Sequence, residues 1–143
     1  MGALGIRTSG GGTPVKNAKE KFIELELRIE EASLMNSKLG VIKNNRAADA
    51  LIKIFKYFEE NREEASRILG ELLEHENCFV CMGAASHCLA LGIRAEQALV
   101  VLNEVAQNAT SRYAKGVAKA VLMVYEQQGY LTMYQGQQIY KPE

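Results

Sequence analysis

The chain has 143 residues, with 48% hydrophobic and 24% charged side chains, enough apolar material for the core of one ordinary domain. Seventeen basic and seventeen acidic residues cancel, which argues against a strongly basic nucleic-acid binder while leaving room for a local patch. No apolar run approaches the ~18 residues of a membrane span, and the opening residues lack the apolar stretch of a secretory signal. Three cysteines make an odd count, so a paired disulfide framework is not expected and a reducing cytoplasm is the natural setting.

Residues 1–15 (MGALGIRTSGGGTPV) are Gly-rich and without helical period; they read as a flexible leader or an expression remnant. From Lys16 the pattern turns helical. A first helix is expected from about Lys16 to Leu39, with Phe22, Leu25, Ile29, Ala32, Met35 and Leu39 on one stripe and Gly40 as its stop. A second runs from about Asn45 to Phe58, and a third starts near Asn61 with Ala65, Ile68, Leu69, Leu72 and Leu73 apolar. Asn77 caps a fourth helix that Gly92 ends. A fifth covers about Ala95 to Asn108. Thr110 or Ser111 caps a sixth, which Gly129 stops. The helical domain is thus 16–129, and 130–143 is a polar, aromatic tail that lies on the last helix or hangs loose.

A shift of 33 residues lays 64–75 (EASRILGELLEH) on 97–108 (QALVVLNEVAQN), matching Ala65, Ile68, Leu69, Glu71 and Leu72 with Ala98, Val101, Leu102, Glu104 and Val105. The same shift lays 77–89 on 110–122, where Gly83, Ala85 and Leu89 meet Gly116, Ala118 and Leu122. Such self-similarity describes a two-helix unit that buries its apolar face only by stacking. The expected fold is all-α, a short HEAT-like α-solenoid of about six helices and two and a half repeats. A six-helix orthogonal bundle with accidental self-similarity is the alternative.

The segments NNRAADALIKIF, EHENCFVCMGAASHCLAL and EQALVVLNEVAQNATSRYAKGVAKAVL resemble a small bacterial family of short HEAT-like repeat proteins, often found beside polymorphic or contact-dependent toxins. The resemblance covers about residues 44–125. It implies a cytoplasmic immunity protein that binds and neutralises a cognate toxin, and it brings no catalytic residues with it.

His75, Cys78, Cys81, His87 and Cys88 have ligand-like chemistry, but helical geometry argues against a metal. At about 100° per residue the three cysteines share the buried stripe of Ala85 and Leu89 while His87 points away. They read as buried apolar cysteines, with no metal and no cofactor. Two histidines expected on partly exposed helix faces do not make a catalytic triad, so no enzyme is expected. The Gly run at 10–12 lacks the strand and Lys-Ser/Thr of a phosphate loop.

Charge is distributed unevenly. Residues 1–58 carry net +4, residues 59–76 net −5, and residues 77–143 net +1. The acid gathers around the third helix at Glu59, Glu60, Glu63, Glu64, Glu71, Glu74 and Glu76. It reads either as a solubilising face or as a patch for a basic partner, such as a nuclease toxin. With Ala65 at the centre of the buried face, Glu63, Arg67, Gly70, Glu71 and Glu74 point outward. One repeat later these become Glu96, Val100, Asn103, Glu104 and Gln107. Adjoining rows of this kind line the concave surface of a solenoid. The partner-binding residues are therefore expected to be Glu60, Glu63, Arg67, Glu71, Glu74, Glu96, Val100, Asn103, Glu104 and Gln107, with Val100 as an apolar centre in a polar rim. The other readings are a scaffold or adaptor of the same build and, less well supported, a small nucleic-acid binder using Arg112, Lys115 and Lys119.

If Cys88 is core, Cys88→Ser costs roughly 1–3 kcal/mol by burying a hydroxyl, and Cys88→Ala costs less. Denaturant titration of the two variants checks the order.

Overall fold

The computed structural model describes residues 17–34 and 38–142, with side chains of the second stretch from residue 46 onward. The leader, Lys16, Met35 and the side chain of Leu39 lie outside the described residues. Among those described, six helices and no strand are formed: α1 Ala18–Ser33, α2 Lys38–Glu60, α3 Arg62–Leu72, α4 Cys78–Leu91, α5 Ala95–Asn108 and α6 Arg112–Gln128.

Four boundaries follow the local chemistry read from the sequence. The Asn77 side chain accepts from the backbone N–H groups of Phe79 and Val80 and so caps α4. Ser111, not Thr110, caps α6 by accepting from Ala114. Gly92 and Gly129 end α4 and α6 in the left-handed region, at φ 72° and 80°. The first boundary is different. α1 ends at Ser33 and α2 already begins at Lys38, so Gly40 sits inside a helix and stops nothing. A glycine costs a helix only about 1 kcal/mol against alanine, and at the third residue of α2 its N–H would have no intrahelical partner in any case.

The core is organised around α4. From Phe79 to Leu91 every residue but Cys81 is buried, on every side of the helix. A helix that is apolar all round has no face to offer water, so it must be surrounded. α1, α3, α5 and α6 all pack against it. α1 also lies along α2, and α5 along α6. Pairing of α2 with α4 and of α3 with α5, which a stack of two-helix units calls for, is slight at most. Between α3 and α5 the 33-residue similarity matches burial at three pairs, Ala65, Leu69 and Leu72 with Ala98, Leu102 and Val105, while Val101 is half-buried where Ile68 is core; between α4 and α6 it fails at Gly83, which is buried, and Gly116, which is exposed.

The tail is neither loose nor laid on α6. It turns away after Gly129 and crosses the C-terminal end of α4 toward α2. Leu131 is buried, and the Gln137 side chain donates to the Ala90 carbonyl and accepts from the Met133 N–H. Further on, the Tyr140 hydroxyl donates to Glu59 at 2.6 Å while the Arg62 guanidinium lies over the Tyr140 ring. The chain passes so close to Gly92 that a Cβ there would meet the Lys141 carbonyl at 2.7 Å.

The deepest anchor of this strap is Tyr134, whose hydroxyl lies 2.7 Å from His87 Nε2. Tyr134→Phe leaves that nitrogen buried without a partner and is expected to cost roughly 1–3 kcal/mol. Limited proteolysis should then cut the tail of the variant before its helices; equal cutting of wild type and variant would show that the hydrogen bond does not hold the strap.

Candidate functional site

Two polar constellations stand out: an open charged groove on α3 and a buried cluster beside α4. The groove has a volume of about 370 Å³ and is lined by Glu63, Ser66, Arg67, Gly70, Glu71, Glu74 and Arg94. The α3 residues point outward because Ala65, Ile68, Leu69 and Leu72 take the opposite face into the core. Arg94 closes the groove from the turn before α5. Its backbone is in the left-handed region at φ 48°, unusual for a residue with a Cβ. Its side chain reaches across to α3, where Nε donates to the Ser66 carbonyl at 2.7 Å and Nη1 donates to Gln97. The guanidinium occupies the space that a side chain at position 70 would fill.

The groove is therefore a mixed-charge surface with an acidic excess. Glu71 is shared by Lys19 at 3.4 Å and Arg67 at 3.6 Å, both exposed contacts of little energetic weight. Glu63 and Glu74 form no ion pair among the described residues. Two of the seven acids gathered here serve the fold instead: Glu59 accepts from Tyr140 and Glu64 accepts from Tyr57.

All ten residues expected at a partner surface are exposed. The structure brings Glu63, Arg67, Glu71 and Glu74 together in the groove and adds Ser66, Gly70 and Arg94 to them. Glu60 stands apart at the end of α2. Glu96, Val100, Asn103, Glu104 and Gln107 form a separate exposed row on α5, with Val100 at 69% exposure. Arg94 had no signal in the sequence beyond its charge, because its reach to Ser66 is a tertiary contact.

The buried cluster corrects the reading of His87. It was expected on a partly exposed face opposite the cysteines; it is fully buried, because α4 has no exposed face. Its Nδ1 lies 2.7 Å from the Gly83 carbonyl, which can only accept, so Nδ1 carries the proton and Nε2 accepts from the Tyr134 hydroxyl. Burial pushes the imidazole down to about 4, despite the Gly83 hydrogen bond, which acts the other way. The Phe22 ring meets it edge-on at 5.0 Å.

Glu26 of α1 faces the same helix. It is 6% exposed and its carboxyl lies against Gly83, where any Cβ would collide with it. Burial pushes the carboxyl up to about 8, so it is neutral at pH 7. Burial, and then the Glu26 carboxyl, also hold the Tyr134 phenol above its ordinary range. The sequence did hold a signal for Glu26. It stands four residues after Phe22 and next to Leu25, on the apolar stripe of α1. The cluster joins α1, α4 and the tail, and it is a packed core feature with none of the groove residues in it.

The cysteines divide. Cys88 is buried and its thiol is pushed up to about 12, whereas Cys78 and Cys81 are only half-buried at the first turn of α4. All three are free thiols. Among the described residues no three His, Cys, Asp or Glu side chains form a group able to hold a metal ion. No described helix is long and apolar enough to cross a membrane. No protein-family model matches this chain, and neither a curated protein nor a solved structure matches it significantly.

The pH dependence of stability follows from the buried cluster. Glu26 binds its proton more tightly in the folded state, so stability falls as pH rises between the ordinary value of 4.5 and about 8. His87 has the opposite sign: stability is lost as pH falls from 6.5 to about 4. The two slopes offset each other in the acidic range and leave the Glu26 loss alone above 6.5. Wild-type protein is expected to lose about 1 kcal/mol between neutral and mildly alkaline pH. Glu26→Gln should abolish that loss in urea titrations across the range; a persisting slope would assign it to another group.

Proposed function

We propose that this chain is a protein-binding module that neutralises a cognate toxin by occlusion, with the α3 groove as its docking surface. The observation that carries the reading is the groove itself. Three carboxylates, Glu63, Glu71 and Glu74, line one open surface, and two of them form no ion pair among the described residues. A basic protein, such as a nuclease toxin with a cationic cleft, is the partner whose field complements it. The exposed α5 row, with Val100 among Glu96, Asn103, Glu104 and Gln107, supplies a second contact area with an apolar centre.

The resemblance to short HEAT-like repeat proteins supports the same reading. So does the internal similarity of α3 with α5, in which Ala65, Leu69 and Leu72 are buried like Ala98, Leu102 and Val105. In this reading the repeats form a short solenoid, the chain works in the reducing cytoplasm of a bacterium with its thiols free, and no residue performs chemistry.

The test begins with the genomic neighbourhood and a pull-down from the source cell. Once the partner is in hand, Glu63→Lys/Glu74→Lys is expected to slow association about tenfold at low salt and to flatten its salt dependence. The melting temperature should hardly move, since both side chains are exposed. Stopped-flow association at several salt concentrations provides the measurement. A double variant with the wild-type on-rate would remove the groove from the interface, and a partner without toxic activity would favour the adaptor reading.

A further inference from the structure

The face of α4 that receives its neighbours is repeated on α6, where it is left exposed apart from Tyr113, whose half-exposed ring stacks on Phe79 at 5.8 Å. The 33-residue shift maps Val80, Gly83, His87, Ala90 and Leu91 onto Tyr113, Gly116, Ala120, Met123 and Val124. On α4 all five are buried, and at Gly83 the Glu26 side chain of α1 fills the notch. On α6 all five are exposed, Met123 at 58%, and a Cβ at Gly116 would meet nothing within 4 Å. They fall within an arc of about 100° and extend along roughly 16 Å of the helix. The opposite side of α6 is satisfied, with Ala114 and Ala118 buried and Val121, Leu122 and Tyr125 packed against the core. α6 thus presents a helix-receiving surface with small residues at its middle and apolar ones at both ends.

The charges beside this strip choose its occupant. Arg112, Lys119 and Glu126 follow at intervals of seven along one flank, so they lie on the same edge. Neither Arg112 nor Glu126 forms an ion pair among the described residues. Two copies of α6 crossing antiparallel about residue 119 put Arg112 of each opposite Glu126 of the other, two attractive pairs that flank the single meeting of the two Lys119 side chains at the centre. They also put Tyr113 near Val124 and Gly116 near Ala120, where small side chains allow close approach. Parallel crossing instead turns the two charged edges to opposite sides of the contact, so Arg112 and Glu126 meet no partner across it. We infer that the α6 face binds a second copy of this chain, as a two-fold symmetric, antiparallel α6–α6 dimer. This surface is separate from the α3 groove, so the dimer stands or falls independently of the toxin-binding reading.

Sedimentation velocity of the full chain over a concentration series tests it. The expected result is a concentration-dependent shift toward twice the 15.8 kDa chain mass. Ala120→Glu, at an exposed position, should weaken the dimer by tenfold or more, about 1.4 kcal/mol, with an unchanged circular dichroism spectrum. Arg112→Glu should weaken it as well, and Arg112→Glu/Glu126→Arg should restore it, an outcome that a misfolded variant cannot imitate. A wild-type chain that stays monomeric throughout the series overturns the proposal. So does a dimer indifferent to Ala120→Glu, which would lie on another face, or a charge exchange that fails to rescue.

Discussion

The burial of α4 on every side is the constraint from which most of the molecule follows. Its segment CFVCMGAASHCLAL holds no charged residue and no polar face, so leaving any side in water would forfeit apolar burial. α1, α3, α5 and α6 are placed by that demand, and the tail completes the enclosure near the helix's C-terminal end. The small residues of α4 set how closely these neighbours approach. Ala84 and Ala85 are fully buried, and Gly83 leaves a notch that α1 fills with the Glu26 carboxyl.

Enclosure has an electrostatic consequence. Two titratable side chains, Glu26 and His87, are carried into the core with the helices that bear them, and both are neutral there at pH 7. His87 is fully satisfied: Gly83 accepts from Nδ1 and Tyr134 donates to Nε2. That pair of hydrogen bonds is also what joins the C-terminal strap to the centre of the fold. A buried polar side chain therefore anchors the strap beside its apolar contacts, Leu131 in the core and the Tyr134 ring against Phe55.

The charged and apolar surface features, in contrast, sit where the enclosure leaves surface over. The α3 groove exists because α3 commits only one face to the core and because Arg94 bridges to Ser66 over the bare backbone of Gly70. The α5 row and the α6 strip are the outer faces of helices whose inner faces are already packed. Their chemistry differs: acidic with embedded arginines on α3, mixed polar around Val100 on α5, and apolar with a charged edge on α6.

Much of this was legible in the residues. Helical period alone separates buried from exposed positions on α3 and α5, and Asn77, Gly92 and Gly129 mark boundaries because capping is a local interaction between neighbours in sequence. The exposure of Glu63, Arg67, Glu71, Val100 and Glu104 follows from the same period. What the sequence could not determine is which faces meet. His87 looks like an outward residue on a helical wheel, and only the crowd of helices around α4 makes it core. Glu26 stands on an apolar stripe, yet its neutral state depends on a glycine 57 positions away in the chain. The tail carries no period at all, so its path is set by Tyr134, Gln137 and Tyr140 finding partners on α4 and α2. Period and caps act over one turn of helix and are written in the order of residues. Burial, protonation and the meeting of Arg94 with Ser66 are properties of several segments at once, and these the tertiary structure decided.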